Sequence, residues 1–167
     1  MEKSTVLVAR EEDVAYIQVS GRGSFQNAGH LKGFYTEMIK SGVQRFVIDL
    51  KNCTYLDSTF LGTMTGLGLL LKDSPHGRLQ IINSSARNLE LMQNLGLDRL
   101  FNVRSTGIEY KQEEMKELER KPESQTATGE TMLTAHELLM KWDERNIAKF
   151  KDVVDYLRED LGQNPPK

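Results

Sequence analysis

The chain is predicted to be an α/β protein: a mixed β-sheet with an N-terminal hairpin and parallel β-α-β crossovers, plus a C-terminal helical extension. Three observations predict it. Two short apolar runs flank the acidic triplet Glu11-Glu12-Asp13, the pattern of a hairpin. From Phe25 onward the periodicity alternates helix, strand, helix, strand, helix, strand, which implies right-handed parallel crossovers. After Ser105 the sequence becomes strongly charged, then polar, and ends in one further helical pattern.

The bulk properties bound the rest. A chain of 167 residues with 38% hydrophobic content is one domain with an appendage. Its 22 Lys and Arg nearly balance 24 Asp and Glu, so no basic field argues for nucleic acid. A single cysteine, Cys53, excludes an internal disulfide framework and fits a reducing cytosol. No apolar segment follows the first residues, so no signal peptide is expected, and the run at 67–71 is too short to span a bilayer. The expectation is a cytoplasmic protein without membrane contact.

Residues 5–9 and 14–19 are the two hairpin strands, and Gly21 to Ser24 read as a loop. Leu31, Phe34, Tyr35, Met38 and Ile39 follow the template of an amphipathic helix that Ser41-Gly42 ends. Phe46-Val47-Ile48-Asp49-Leu50 is a strand buried on both faces, followed by a polar link at 51–54. Leu61, Met64, Gly68 and Leu71 share the face of a second helix. Residues 78–82 are a strand, and Asn83-Ser84-Ser85 caps a third helix with Leu89, Met92 and Leu95 on its face. The last strand is expected at 100–103. The domain then spans 1–110, a charged segment and linker spans 111–130, and the helical extension spans 131–167. Glu113 to Arg120 read as a solvated helical face, and 122–130 as a linker. Thr134-Ala135-His136-Glu137 matches a capping box and is taken to open the extension. A break is expected at 143–146, and Gly162 with Pro165-Pro166 ends the chain. The extension carries Trp142 and Phe150 on its apolar face and needs a cover: its own domain first, a second copy or a partner otherwise.

Asp57 and Ser58 stand where the second helix begins, beside unpaired backbone N–H groups that favour negative charge. Each is a good N-cap, and capping alone is the plain reading of the pair. Gly62 and Gly66 read as close-packing positions, because the Lys-Ser/Thr of a phosphate loop is absent. Asp49 either orients the loop by accepting N–H bonds or is a solvated strand end. Cys53 reads as a small apolar residue. His30, His76 and His136 are scattered without ligand spacing, so neither a metal nor a cofactor is expected.

Val47-Ile48-Asp49-Leu50, the signature Asp57-Ser58-Thr59-Phe60-Leu61-Gly62, and Asn94-Leu95-Gly96-Leu97-Asp98 before Leu100-Phe101 give the chain its resemblance. On these residues it resembles the STAS domain, and within that family the bacterial anti-sigma factor antagonists. The resemblance covers roughly 5–103 and leaves the tail unaddressed. It implies that Ser58 is phosphorylated by a cognate serine kinase, with Thr59 the alternative acceptor. It also implies a surface of Asp57, Ser58, Thr59, Phe60 and Gly62 that binds an anti-sigma factor when unmodified, and a phosphatase that resets it. Phe60 departs from the family, where a Gly is usual, and puts a large ring beside that surface. The alternative is a STAS scaffold or subunit of a larger signalling or transport assembly, oligomerising through the C-terminal helices. An enzyme with Ser58 as nucleophile needs a general base, and no histidine lies near in sequence, so no enzymatic activity is expected.

Overall fold

A two-residue turn at Glu12-Asp13 folds β1 (Thr5–Glu11) onto β2 (Val14–Gly23), antiparallel from Thr5↔Ser20 to Glu11↔Val14. This computed structural model describes residues 4–119 and 121–163; the expected stop at Pro165-Pro166, and Arg120 of the charged face, lie outside the described residues. Next come α1 (Phe25–Lys40), β3 (Arg45–Asp49), β4 (Cys53–Leu56), α2 (Ser58–Lys72), β5 (Arg78–Ile82), α3 (Ala86–Asn94) and β6 (Asn102–Val103). The sheet runs β6-β5-β3-β2-β1-β7, with β4 beside β2 and β7 at Lys116–Glu117. The β2–β3, β3–β5 and β5–β6 pairs are parallel, and β1 is antiparallel to both neighbours. The expected mixed sheet with an N-terminal hairpin is therefore what the chain forms.

The centre of the fold is α2. Eleven of its fifteen residues are buried, Thr59 through Gly68 and Leu71, because three elements cover it. Leu61, Met64 and Leu67 join Ile17, Phe46, Ile48 and Ile81 of the sheet in one core. Burying each such side chain contributes about 1.5–3 kcal/mol. α1 packs along a second side of α2. The third side is covered by α4 (Gln125–Trp142), which is followed by α5 (Arg145–Asp160). Of the three covers envisaged for the extension, its own domain is the one observed.

Several sequence expectations are corrected. The loop at Gly21 to Ser24 is strand as far as Gly23, and the polar link at 51–54 gives way to β4, whose Cys53 and Leu56 are buried while Thr54 faces out. That strand was missed because it is only four residues long and pairs only with the irregular end of β2. The strand expected at 100–103 is reduced to two residues, since Leu100 and Phe101 close a 3₁₀ turn at Leu97–Arg99. The charged face at 113–120 is not helical: a 3₁₀ turn at Gln112–Glu114 leads into β7, which covers the edge of β1. The helix of the extension starts at Gln125, inside the expected linker, and Thr134 is mid-helix. Ser124 caps it by accepting the Ala127 N–H at 3.0 Å. The polar composition of 125–131 concealed this turn, since it carries no apolar stripe. The break at 143–146 is present, with α4 ending at Trp142 and α5 starting at Arg145.

Candidate functional site

Asp57 is extended (φ −85°, ψ 170°) and caps α2. Its Oδ1 accepts the Phe60 N–H at 2.8 Å, and its Oδ2 accepts the Phe25 N–H at 2.9 Å. One carboxylate thus satisfies an orphan donor at the start of each of two helices and fixes α1 and α2 relative to one another. Ser58 is the first residue of α2 and is half-buried.

The Ser58 hydroxyl lies 2.8 Å from His136 Nε2, on α4. The other ring nitrogen, Nδ1, lies 2.6 Å from the Met132 carbonyl, which can only accept. In the neutral ring that carbonyl places the hydrogen on Nδ1, so Nε2 accepts and Ser58 O–H donates. His136 is only 3% exposed and packs edge-on against Phe150, with centroids 5.1 Å apart. One turn along α2, Gly62 meets the backbone of Ala135 so closely that an added Cβ would overlap the Ala135 carbonyl. At this point glycine is required by the approach of α4.

The other residues of the expected surface do not face outward. Thr59 is 3% exposed, and Phe60 is fully buried with its ring over Gly23, where a side chain would collide with it. Gly62 is buried under α4. The expectation of a large ring beside the binding surface is thereby corrected: Phe60 is core, and it fits because Gly23 leaves space. Thr59 is likewise inward.

Asp49 is buried and accepts three hydrogen bonds. They come from the Lys51 N–H (2.9 Å), the Asn83 amide (2.9 Å) and the Tyr110 hydroxyl (2.6 Å). These bonds tie the turn after β3 to Asn83 and Tyr110. Burial first, and the Asp49 carboxylate second, push the Tyr110 phenol above its ordinary range. Tyr110 also stacks on Tyr16 at 4.8 Å, tying the segment after β6 to the sheet.

Sequence reasoning missed His136 as a site residue. Seventy-eight positions separate it from Ser58, and spacing carries no signal over that distance. Among the described residues no three His, Cys, Asp or Glu lie together as metal ligands, and no helix is long and apolar enough to cross a membrane.

The family model described as "Mlab, STAS domain" matches residues 6–104, more than half of the chain. The chain belongs to the STAS domain family. A STAS-domain containing protein of Pseudomonas aeruginosa (strain UCBPP-PA14) is 29% identical over 102 residues, covering 59% of this chain and 96% of that protein. An anti-sigma factor antagonist from Mycobacterium paratuberculosis has the same fold at 21% identity and a TM-score of 0.53, covering 62% of this chain and 87% of its own. The anti-sigma factor antagonist SpoIIAA, in its unphosphorylated form, does so at 15% identity and a TM-score of 0.50, covering 68% and 93%. The family match ends before β7, α4 and α5, so His136 stands outside the matched STAS span.

Proposed function

We propose that this STAS protein is a non-enzymatic regulatory binding module, an anti-sigma factor antagonist that binds an anti-sigma factor and is switched by phosphorylation at Ser58. The observation that carries the reading is the position of the Ser58 hydroxyl, at the head of α2 directly after its Asp57 cap. A phosphate there adds about −1.5 to −2 charge. A helix N-terminus stabilises such an anion by about 0.3–1 kcal/mol, so the fold tolerates the group. A partner pressed against the same surface meets new charge that it must desolvate, and its affinity falls. Asp57 and Ser58 form the accessible part of this surface. Thr59, Phe60 and Gly62 support it from beneath.

The test is affinity capture with the full chain as wild type, Ser58→Ala and Ser58→Asp, with retained proteins identified by mass spectrometry. An anti-sigma factor or serine kinase held by the first two and released by the third supports the proposal. Identical retention on all three, with no phosphate on Ser58 after incubation with the captured kinase and ATP, returns the protein to the scaffold reading. The Ser58–His136 pair has the geometry of a nucleophile and its base. Ester hydrolysis by the wild type that Ser58→Ala abolishes would therefore overturn the non-enzymatic part.

A further inference from the structure

Beyond the accessible Asp57 and Ser58, the face of α2 is already covered within the same chain. The side of α2 that begins at Ser58 and continues through Gly62 and Gly66 is covered by α4 of the same chain. Gly62 touches the Ala135 backbone, and a Cβ on Gly66 would stand 3.2 Å from Leu138. We propose that the N-terminal half of α4 is a displaceable cover over this face, latched by the Ser58–His136 hydrogen bond and opened by phosphorylation of Ser58. The inference rests on Ser58 being the modified position, and it adds what the modification does to this chain.

The attachment of α4 is uneven, and that unevenness supports a swing. At its C-terminal end Leu139 is fully buried in the main core, Trp142 Nε1–H donates to the Gly96 carbonyl at 2.7 Å, and Arg99 pairs with Asp143 at 2.7 Å. Just beyond, the buried Asn146 amide donates to the Leu95 and Leu139 carbonyls at 3.0 and 2.9 Å. Over residues 125–138 the contact with α2 is made by buried Ala135, half-buried Leu138 and the Ser58–His136 bond, and Thr131 and Thr134 lie beside Lys32 and Tyr35 of α1. Ahead of the helix, His30 Nε2–H donates to the Lys121 carbonyl at 2.8 Å, and His30 Nδ1 lies 3.3 Å from Glu123. Leu133 is buried against Val154 and Leu157 of α5, and Phe150 lies on His136. The two helices therefore keep a core of their own when the free end lifts.

A phosphate on Ser58 attacks the latch in two ways. It removes the hydrogen that Ser58 donates and turns acceptor oxygens toward the Nε2 lone pair. It also adds bulk beside His136, one turn before the point where the two helix backbones touch at Gly62 and Ala135. Any helix seated on that face, α4 or a partner's, meets the same obstacle.

The experiment installs phosphoserine at position 58 during translation, so no kinase is required, and reads hydrogen–deuterium exchange along the full chain. Exchange over 125–138 is expected to rise about tenfold or more, while β3, β5 and the 139–146 junction keep their protection. Gly62→Ala, which forces α4 away without charge, is expected to produce the same local rise. Unchanged protection over 125–138 in the phosphoserine chain, with Gly62→Ala raising it, overturns the latch. A rise across the whole sheet overturns it equally, since the phosphate would then be unfolding the domain. Failure of partner capture leaves this readout intact, so the two proposals fail separately.

Discussion

The two ends of α4 are built on opposite principles. Its C-terminal end is nailed down by the Nδ2 amide of buried Asn146, by buried Asp143 and by the half-buried Trp142 indole. Gly96, at φ 75°, turns the chain so that its carbonyl meets that indole. Its N-terminal half lies over α2 through small residues and one hydroxyl–imidazole bond. Removing the Asn146 amide leaves two carbonyls without their donor, whereas removing the Ser58 hydroxyl leaves one imidazole nitrogen without its own. The comparison teaches that one helix serves both as a structural strut and as a movable cover.

The largest effect is expected at the junction. Asn146→Ala leaves the Leu95 and Leu139 carbonyls without their donor and should lower unfolding stability by about 2–3 kcal/mol, read from urea titration. If it costs no more than Ser58→Ala, the two ends of α4 are not different in kind. Gly62→Ala should cost about 1–3 kcal/mol through overpacking against Ala135, with the exchange increase confined to 125–138. An increase that spreads to the junction breaks the contrast. Ser58→Ala should cost about 0.5–1.5 kcal/mol, the net value of one hydrogen bond.

The smallest effect is on acid titration. The Arg145 guanidinium, helped by the Arg145 backbone N–H, holds the Asp143 carboxyl well below the usual carboxylate range. A carboxyl whose folded pKa is depressed contributes stability that is present above about pH 4 and lost as pH falls toward the folded value. Arg145 is 66% exposed, so solvent screening reduces the contribution. Trp142 fluorescence, reporting the junction, should hold steady from pH 7 to about 4 and change only below it. A change at higher pH would show that Asp143 is not the group that holds the junction.

Much of the STAS core was legible because its signals are local. The buried run Phe46–Leu50, the helical spacing of Leu61, Met64 and Leu71, and the Asp57 cap each follow from neighbours within a few residues. The weak elements were not legible. β4 and β7 are four and two residues long, and they exist because β2 and β1 present edges for them to pair with. The first turns of α4 carry no apolar stripe, and the close packing on α2 begins only further along, where Ala135 meets Gly62.

By itself, then, the amino-acid order determined the α/β class, the hairpin, the crossovers and the placement of Ser58 at a helix start, since periodicity and capping act over one or two turns. Only the tertiary structure decided that Phe60 is core, that the tail folds onto its own domain, and that His136 receives the Ser58 hydroxyl. The first depends on the space left at Gly23 and the other two on the close approach of Gly62 to Ala135, and the packing of distant segments leaves no periodic trace in any of them.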